Sequence, residues 1–367
     1  MHTINYCEFY ITNVCNLNCT DCNRYNSYAF TGHQRWNDHA DTYEKWSKIL
    51  NISNEIAILG GEPLLVPDFL DWMHGIAKLW PNNSIRIITN GTQLHRWPTL
   101  YQELLKYCGR IYLEINEHNE NHASTTKNNI VNFLSGTVTT PTKIFNNTKW
   151  QQVYQQMRDE SWPDCNSYDD YQQLPDAIKS ECQNLHHIDI DTFYTDCGPV
   201  IVKSSTGTTY LDIDGTQVIN NTTNYVDSNN IRVAFNPAWM FCNAPAVYNT
   251  SINKFQLPNS NPNKALKQCG MTLCHQLIRG RLYKCPPVGV LPEFIKQFTV
   301  ELTVNDHNLI NSYSGASPEW PDDQLTAFIK NLTDEKVIDH CKFCPENYVF
   351  KKFSASTKKI KIQKLKN

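Results

Sequence analysis

Three cysteines within eight residues are the first feature of this chain that can do chemistry. Cys15, Cys19 and Cys22 stand in Cys15-Asn-Leu-Asn-Cys19-Thr-Asp-Cys22, a C-x3-C-x2-C spacing. They follow an apolar stretch, Tyr6 to Ile11, with the composition of a strand. A structural zinc site takes four protein ligands, commonly as two close pairs, and no partner pair stands nearby. Three thiolates suit a cubane iron–sulfur cluster that leaves one iron without a protein ligand. An open position on a metal is where reaction can occur, as it separates catalytic from structural zinc.

Two later segments bear polar groups at strand ends. Gly60-Gly61-Glu62-Pro63 closes the apolar run Ile56-Ala57-Ile58-Leu59. Paired glycines let the backbone turn and approach a ligand closely, and a carboxylate such as Glu62 can accept charge-assisted hydrogen bonds from an ammonium. An ordinary turn ahead of Val66-Pro67-Asp68, with Pro67 near a helix start, also accounts for the segment. Ile85-Arg86-Ile87-Ile88-Thr89-Asn90-Gly91-Thr92 reads as a strand ending in T-N-G-T, whose short polar side chains suit ribose hydroxyls or a carboxylate. Asn-Gly alone is a common turn. A further strand, Arg110 to Ile115, places Glu114 and Asn116 near the same rim, where a solvated strand end is an equally good account of each.

Helical spacing lies between these strands. Asp41 to Leu50 has apolar residues at helical intervals and starts with Asp41 and Glu44 in capping-box relation. Phe69, Trp72, Met73, Ile76 and Trp80 mark a second helix, stopped by Pro81, and Tyr101, Leu104, Leu105 and Tyr107 a third. Short apolar strands alternating with helices predict an α/β fold with a parallel sheet, whose ligands gather at the C-terminal ends of strands. All three polar segments fall there.

In spacing and order, these segments resemble the radical S-adenosylmethionine enzymes. The resemblance implies a partial (β/α)6 TIM-like barrel over residues 1–200, with Cys15, Cys19 and Cys22 holding a 4Fe-4S cluster. The open iron chelates S-adenosylmethionine, and one electron cleaves it to a 5′-deoxyadenosyl radical that takes hydrogen from a substrate. Gly60, Gly61 and Glu62 correspond to the segment that binds the amino group of S-adenosylmethionine. Thr89, Asn90 and Gly91 correspond to a further cofactor-binding turn, and Glu114 is a candidate ribose contact. One position departs from the pattern. An aromatic or aliphatic residue usually precedes the last cysteine, whereas this chain has Asp21. Apolar cover for the adenine is then expected from Tyr25, Tyr28 or Phe30.

The C-terminal cysteines form a second group, Cys269-x4-Cys274-x10-Cys285 and, after a long gap, Cys341-x2-Cys344. With Gly280 five residues before Cys285, the spacings resemble the twitch form of the SPASM extension. That resemblance implies a small C-terminal α+β domain holding an auxiliary 4Fe-4S cluster. Five cysteines stand for four positions. The family pattern favours Cys269, Cys285, Cys341 and Cys344, and Cys274 can replace Cys269. A zinc knuckle from the same residues is the alternative. Cys7, Cys108, Cys165, Cys182, Cys197 and Cys242 lack ligand-like spacing.

Composition bounds the rest. At 367 residues, 40% hydrophobic with nine tryptophans, the chain can hold one barrel and one small domain. The division expected is a barrel over 1–200, a connecting region over 201–264, a cluster domain over 265–350 and a basic tail over 351–367. That tail holds seven lysines and no acid, so the remainder carries −10, the overall −3 less those seven charges. A solvated tail is the bland reading, and contact with nucleic acid the sharper one. No apolar run approaches the ~20 residues needed to cross a bilayer, so no membrane partner is expected. Lacking a signal peptide, the chain is expected in the reducing cytoplasm. Residues 117–185 are polar, with helices expected at Trp150 to Arg158 and Leu174 to Cys182. Ile188 to Phe193, Val200 to Val202 and Thr209 to Thr216 are expected strands, and 258–263 a loop.

Taken together, these features imply an enzyme that abstracts hydrogen from a peptide or carbohydrate-like small molecule, with oxidation, epimerisation or crosslinking as outcome. An electron donor such as flavodoxin or ferredoxin is the implied partner. The rivals are a nucleotide-directed radical enzyme and a non-catalytic iron–sulfur or zinc protein that binds nucleic acid.

Overall fold

The computed structural model describes residues 1–19, 22–118, 123–134, 193–195, 200–204, 207–211, 223–237, 240–241, 246–267, 269, 271–346, 351–352 and 355–356. Eight strands make the main sheet: β1 (His2–Tyr10), β2 (Leu50–Leu59), β3 (Ser84–Thr89), β4 (Ile111–Glu117), β5 (Thr223–Val226), β6 (Arg232–Pro237), β7 (His275–Ile278) and β8 (Arg281–Tyr283). Their order is β8-β7-β1-β2-β3-β4-β6-β5. The six from β7 to β6 run parallel, and β8 turns back antiparallel on β7. This is a mixed α/β fold with a parallel sheet, consistent with a partial barrel.

Alternation along the strands gives the sheet two unlike faces. On one face the register aligns Cys7, Ile56, Ile85 and Ile111 in one row and Phe9, Ile58, Ile87 and Leu113 in the next. These pack in one core with Tyr43 and Trp46 of α1 (Trp36–Ile49), Trp72, Met73 and Ile76 of α2 (Phe69–Leu79), and Leu100 and Leu104 of α3 (Leu100–Leu105). A helix near the chain end adds Leu325, Ile329 and Leu332 (Asp322–Thr333). Both faces of a parallel sheet must be covered, and the second face is covered differently. There Tyr10, Ala57, Leu59 and Ile278 pack with Tyr25, Phe30 and with Val290, Leu291 and Phe294 of the helix Pro286–Gln297.

Towards the N-terminal ends of the strands that second face is charged. One row reads Gln276, Glu8, Ala57, Arg86 and Tyr112 across five strands. Arg86 donates to Glu114 Oε2 at 2.8 Å and to the Tyr6 hydroxyl at 3.0 Å, and pairs with Glu55 at 3.1 Å. Glu8 accepts from Arg24 at 2.8 Å, from the Tyr6 hydroxyl at 3.0 Å and from the Gln276 amide. Arg86, Glu8, Glu55, Glu114 and Arg24 thus each have a partner, which is the condition for placing charge in low dielectric.

Several expectations are revised. Helix α1 starts at Trp36, not Asp41, so Asp41 lies inside it and no capping box forms. The start is set from a distance: Asp68, before α2, accepts from the Trp36 N–H at 2.8 Å. Part of the expected 258–263 loop is helical, Pro262–Lys267. The expected helices at 150–158 and 174–182 lie outside the described residues. The chain divides into two units, Met1–Thr139 with Tyr225–Asn367, and Thr140–Asn224. The boundary expected at residue 200 falls inside the second unit, and β7 and β8, from the expected cluster domain, extend the main sheet. In the second unit Phe193–Thr195, Val200–Ser204 and Gly207–Leu211 form an antiparallel meander. In the tail, Ala355 and Ser356 pair antiparallel with Cys19 and Asn18, and Lys351 and Lys352 with Phe241 and Met240.

Arg86 is the hub of the charged row, and its side chain is a quarter exposed. Replacing it with Met strands Glu55 and Glu114 and is expected to cost about 3 kcal/mol, the low end for breaking a buried pair. Urea denaturation measures this, and R86K should recover part of the loss. A midpoint unchanged in R86M would mean that water satisfies both carboxylates.

Candidate cofactor site

The site is built where the chain leaves β1, β2 and β3. Past the end of β1, pairing with β2 continues through Ile11 N to Leu59 O at 2.9 Å, Gly61 N to Thr12 O at 2.7 Å and Glu62 N to Val14 O at 2.8 Å. Here the glycines serve the protein's own backbone. A Cβ on Gly61 would lie 2.3 Å from the Val14 carbonyl oxygen and 2.9 Å from Cys15 Cβ. The close approach that the sequence suggested for a ligand is made by the cysteine loop itself.

Glu62 is fully buried. Its Oε1 accepts from Leu64 N at 3.0 Å and from the Thr89 hydroxyl at 2.6 Å, and its Oε2 accepts from Asn90 N at 2.8 Å. The carboxylate thus joins the G-G-E-P turn to the T-N-G-T turn. Burial lifts its pKa from 4.5 to about 7, against the opposing pull of those three hydrogen bonds. Thr89 Oγ1 also accepts from Gly91 N at 3.0 Å, and Asn90 Oδ1 from Thr92 N at 3.0 Å. Gly91 holds φ +74°, with Ile115 against it, a conformation that suits glycine. Asn90 reaches the cysteine loop by donating to Asn16 Oδ1 at 3.0 Å, and Asn16 donates to Thr92 Oγ1 at 2.8 Å.

These ties enclose a cavity of about 160 Å³ lined by Cys15, Cys19 and Cys22, by Gly60 and Gly61, and by Thr89 and Asn90. Of the predicted residues, the three cysteines and the strand-end groups are therefore brought together. Glu62, Gly91 and Glu114 are not among the lining residues. Glu62 lies behind the wall, and Glu114 faces Arg86. Asn116 takes the lining position at the end of β4, and its Oδ1 is buried without a hydrogen-bond partner among the described residues. The lining residues Arg24, Asn26 and His118 were not anticipated; no spacing rule singles them out, since they reach the rim through loops. Tyr25 stacks on Phe294 at 4.6 Å, Phe30 packs edge-on to Phe294, and Tyr28 packs on Phe255. Apolar lining comes instead from Leu17, Leu59 and Ile88. Asp21 lies outside the described residues.

The donor set fits a cubane with an attached small molecule. Three thiols share one cavity with an orphaned amide oxygen, and the Leu17 N–H donates to Cys15 Sγ at 3.4 Å. Among the described residues, no three His, Cys, Asp or Glu side chains form a group able to hold a single ion. A cubane asks for something else, since each thiolate binds a separate iron.

The second cysteine set is arranged around the β7–β8 hairpin. Cys274 directly precedes β7, and Cys285 caps the helix after β8. Burial raises the Cys285 thiol pKa, and further rises come from Cys344, Cys269 and Cys341. Cys344 is likewise raised by burial and then by Cys269 and Cys341. Cys274 is raised by burial and then by Glu8, with Cys269 and Cys285 contributing. Cys285 thus feels Cys269, Cys341 and Cys344, whereas Cys274 feels Cys269 and Cys285 together with Glu8 and Arg24. The N–H of Met271 donates to Cys269 Sγ at 3.4 Å.

A parallel sheet with three clustered thiols at its C-terminal rim defines a cofactor-dependent class of α/β protein. Its first part is a radical SAM superfamily domain: the sequence model of the Radical SAM superfamily matches residues 9–140. Such a domain carries a 4Fe-4S cluster and S-adenosylmethionine, and it implies an enzyme that cleaves S-adenosylmethionine reductively to a radical. No curated protein matches the chain. No helix among the described residues is long and apolar enough to cross a membrane.

Glu62→Gln places an amide N–H₂ against the N–H of Leu64 or Asn90, so stability should fall by about 1–3 kcal/mol. The pH dependence has a definite sign. Because the folded-state pKa is raised, Glu62's contribution is complete below about 4.5 and is lost as pH rises through about 7. Wild-type denaturation midpoints should carry this fall and E62Q should lack it. Superimposable pH profiles would remove Glu62 from this role.

Proposed function

We propose that the chain is a two-cluster radical S-adenosylmethionine enzyme acting on a peptide or carbohydrate-like substrate. The observation that carries the first part is the single cavity shared by Cys15, Cys19, Cys22 and the strand-end groups of β2, β3 and β4. When bound, cluster and S-adenosylmethionine supply a primary carbon radical that takes a hydrogen atom from the substrate. The protein's share is binding, orientation and exclusion of water. Cys15, Cys19 and Cys22 would hold the cluster. The Gly60 and Gly61 backbone, the Thr89–Gly91 turn and Asn116 would face the small molecule, with Glu62 holding the two turns in register.

The convergence of Cys269, Cys274, Cys285, Cys341 and Cys344 supports a second, auxiliary 4Fe-4S cluster. Such a cluster can take an electron from a substrate radical or ligate the substrate, which favours oxidation, epimerisation or crosslinking. A flavodoxin- or ferredoxin-type donor would supply the electron to the first cluster, and the cytoplasm suits both clusters.

Reduced, anaerobically reconstituted protein should convert S-adenosylmethionine to 5′-deoxyadenosine and methionine, and C19A should abolish this with the fold retained by circular dichroism. Iron content should be about eight per chain, two cubanes. Undiminished cleavage by C19A would sink the assignment of the first site. About four irons with one zinc would leave a one-cluster enzyme with a structural zinc site.

A further inference from the structure

Lys284 stands between β8 and Cys285, and it is only 3% exposed. Its Nζ has no hydrogen-bond partner among the described residues, and it forms no ion pair there. The backbone around it is fixed. Its carbonyl oxygen bonds His275 Nδ1 at 2.9 Å, and the helix Pro286–Gln297 starts two residues on.

A buried ammonium without a partner costs several kcal/mol, and proteins rarely leave one. Thiols of the C-terminal set are among the groups its charge reaches. Cys285 is its neighbour in sequence, and its charge opposes the rise that burial imposes on the Cys341 thiol. Three carboxylates are near the same groups, Glu335 and Glu8 acting on His275 and Asp339 acting on Cys341, yet none pairs with Nζ. The site gathers other electropositive groups. Cys285 is the N-cap residue of the twelve-residue helix Pro286–Gln297, whose N-terminus carries partial positive charge. Neutral thiols are weak acceptors that need no such company. Thiolates bound to a metal group retain net negative charge, and they do need it.

We infer that Lys284 is the counter-charge of an anionic metal–thiolate group held by the C-terminal cysteines and that it sets the group's reduction potential. This rests on the auxiliary-cluster reading. A fixed positive charge in low dielectric favours the more negative, reduced state. Its removal makes reduction harder, and because the charge is buried, salt does not mask the effect.

The test uses the full-length chain with Cys15, Cys19 and Cys22 replaced by Ala, so that only the second group is read. Metal content after anaerobic reconstitution comes first, with Lys284 intact. Spectroscopic redox titration of K284M and K284R in the same background follows. The expected result is about four irons, with the reduced-to-oxidised ratio at fixed potential at least tenfold lower in K284M, about 59 mV for one electron. K284R, which keeps the charge, should stay near the parent. Loss of iron from K284M alone also supports the role, because the charge is then needed for assembly. Iron retained at an unchanged potential in K284M overturns the role of Lys284 and leaves the auxiliary cluster standing, as does loss of iron from K284M and K284R alike. Zinc or no metal with Lys284 intact overturns both.

Discussion

The site depends on one carboxylate. Glu62 accepts three hydrogen bonds, two from the turn that follows β3 and one from its own turn. Its backbone N–H is in turn spent on Val14, one residue before the first cysteine. Three segments distant in sequence are thereby locked at one point, and the cysteine loop inherits its position from β2 as much as from β1. The cost of burying a carboxylate is offset in part by two backbone N–H groups and the Thr89 hydroxyl, which hold it in one orientation. Gly61 belongs to the same device, since a side chain there would drive the cysteine loop away.

The two faces of the sheet divide labour by the strand's period of two. One face is uniformly apolar and takes the crossover helices, which gives the frame its stability. The other changes along its length. Its charged end is self-paired through Arg86, Glu55 and Glu114, and its middle is filled by aromatic rings around Phe294. The C-terminal rim holds open volume and, in Asn116 Oδ1, a buried amide oxygen without a partner among the described residues.

How much was legible in the sequence follows from the range of each interaction. β1 to β4 and helix α2 follow from apolar runs and helical spacing, which are local signals. The N-terminus of α1 was not legible, because its first N–H is capped by Asp68, thirty-two residues away. Likewise nothing local reveals that β7 pairs with β1 across some 270 residues. At the site, the cysteine and glycine spacings carried the signal. Glu62 and Glu114 meet interior partners in this fold, and a carboxylate near a strand end looks the same in sequence whether it faces a ligand or such a partner. Asn116 and Arg24 gain meaning only when the rim is assembled in space, and Lys284 only when its burial is known.

The pairing of β7 with β1 has an electrostatic consequence. It brings Gln276 beside Glu8 and sets Cys274 at the start of β7, next to the same carboxylate. Arg24 answers from the other side. It lines the first cavity, pairs with Glu8, and its charge is felt alongside both Cys22 and Cys274. One ion pair therefore stands between the two thiol sets, with its anion towards Cys274 and its cation shared. Placing Cys274 beside a strand of the main sheet, and not on a detached module, is what lets one ion pair stand close to a thiol of each set.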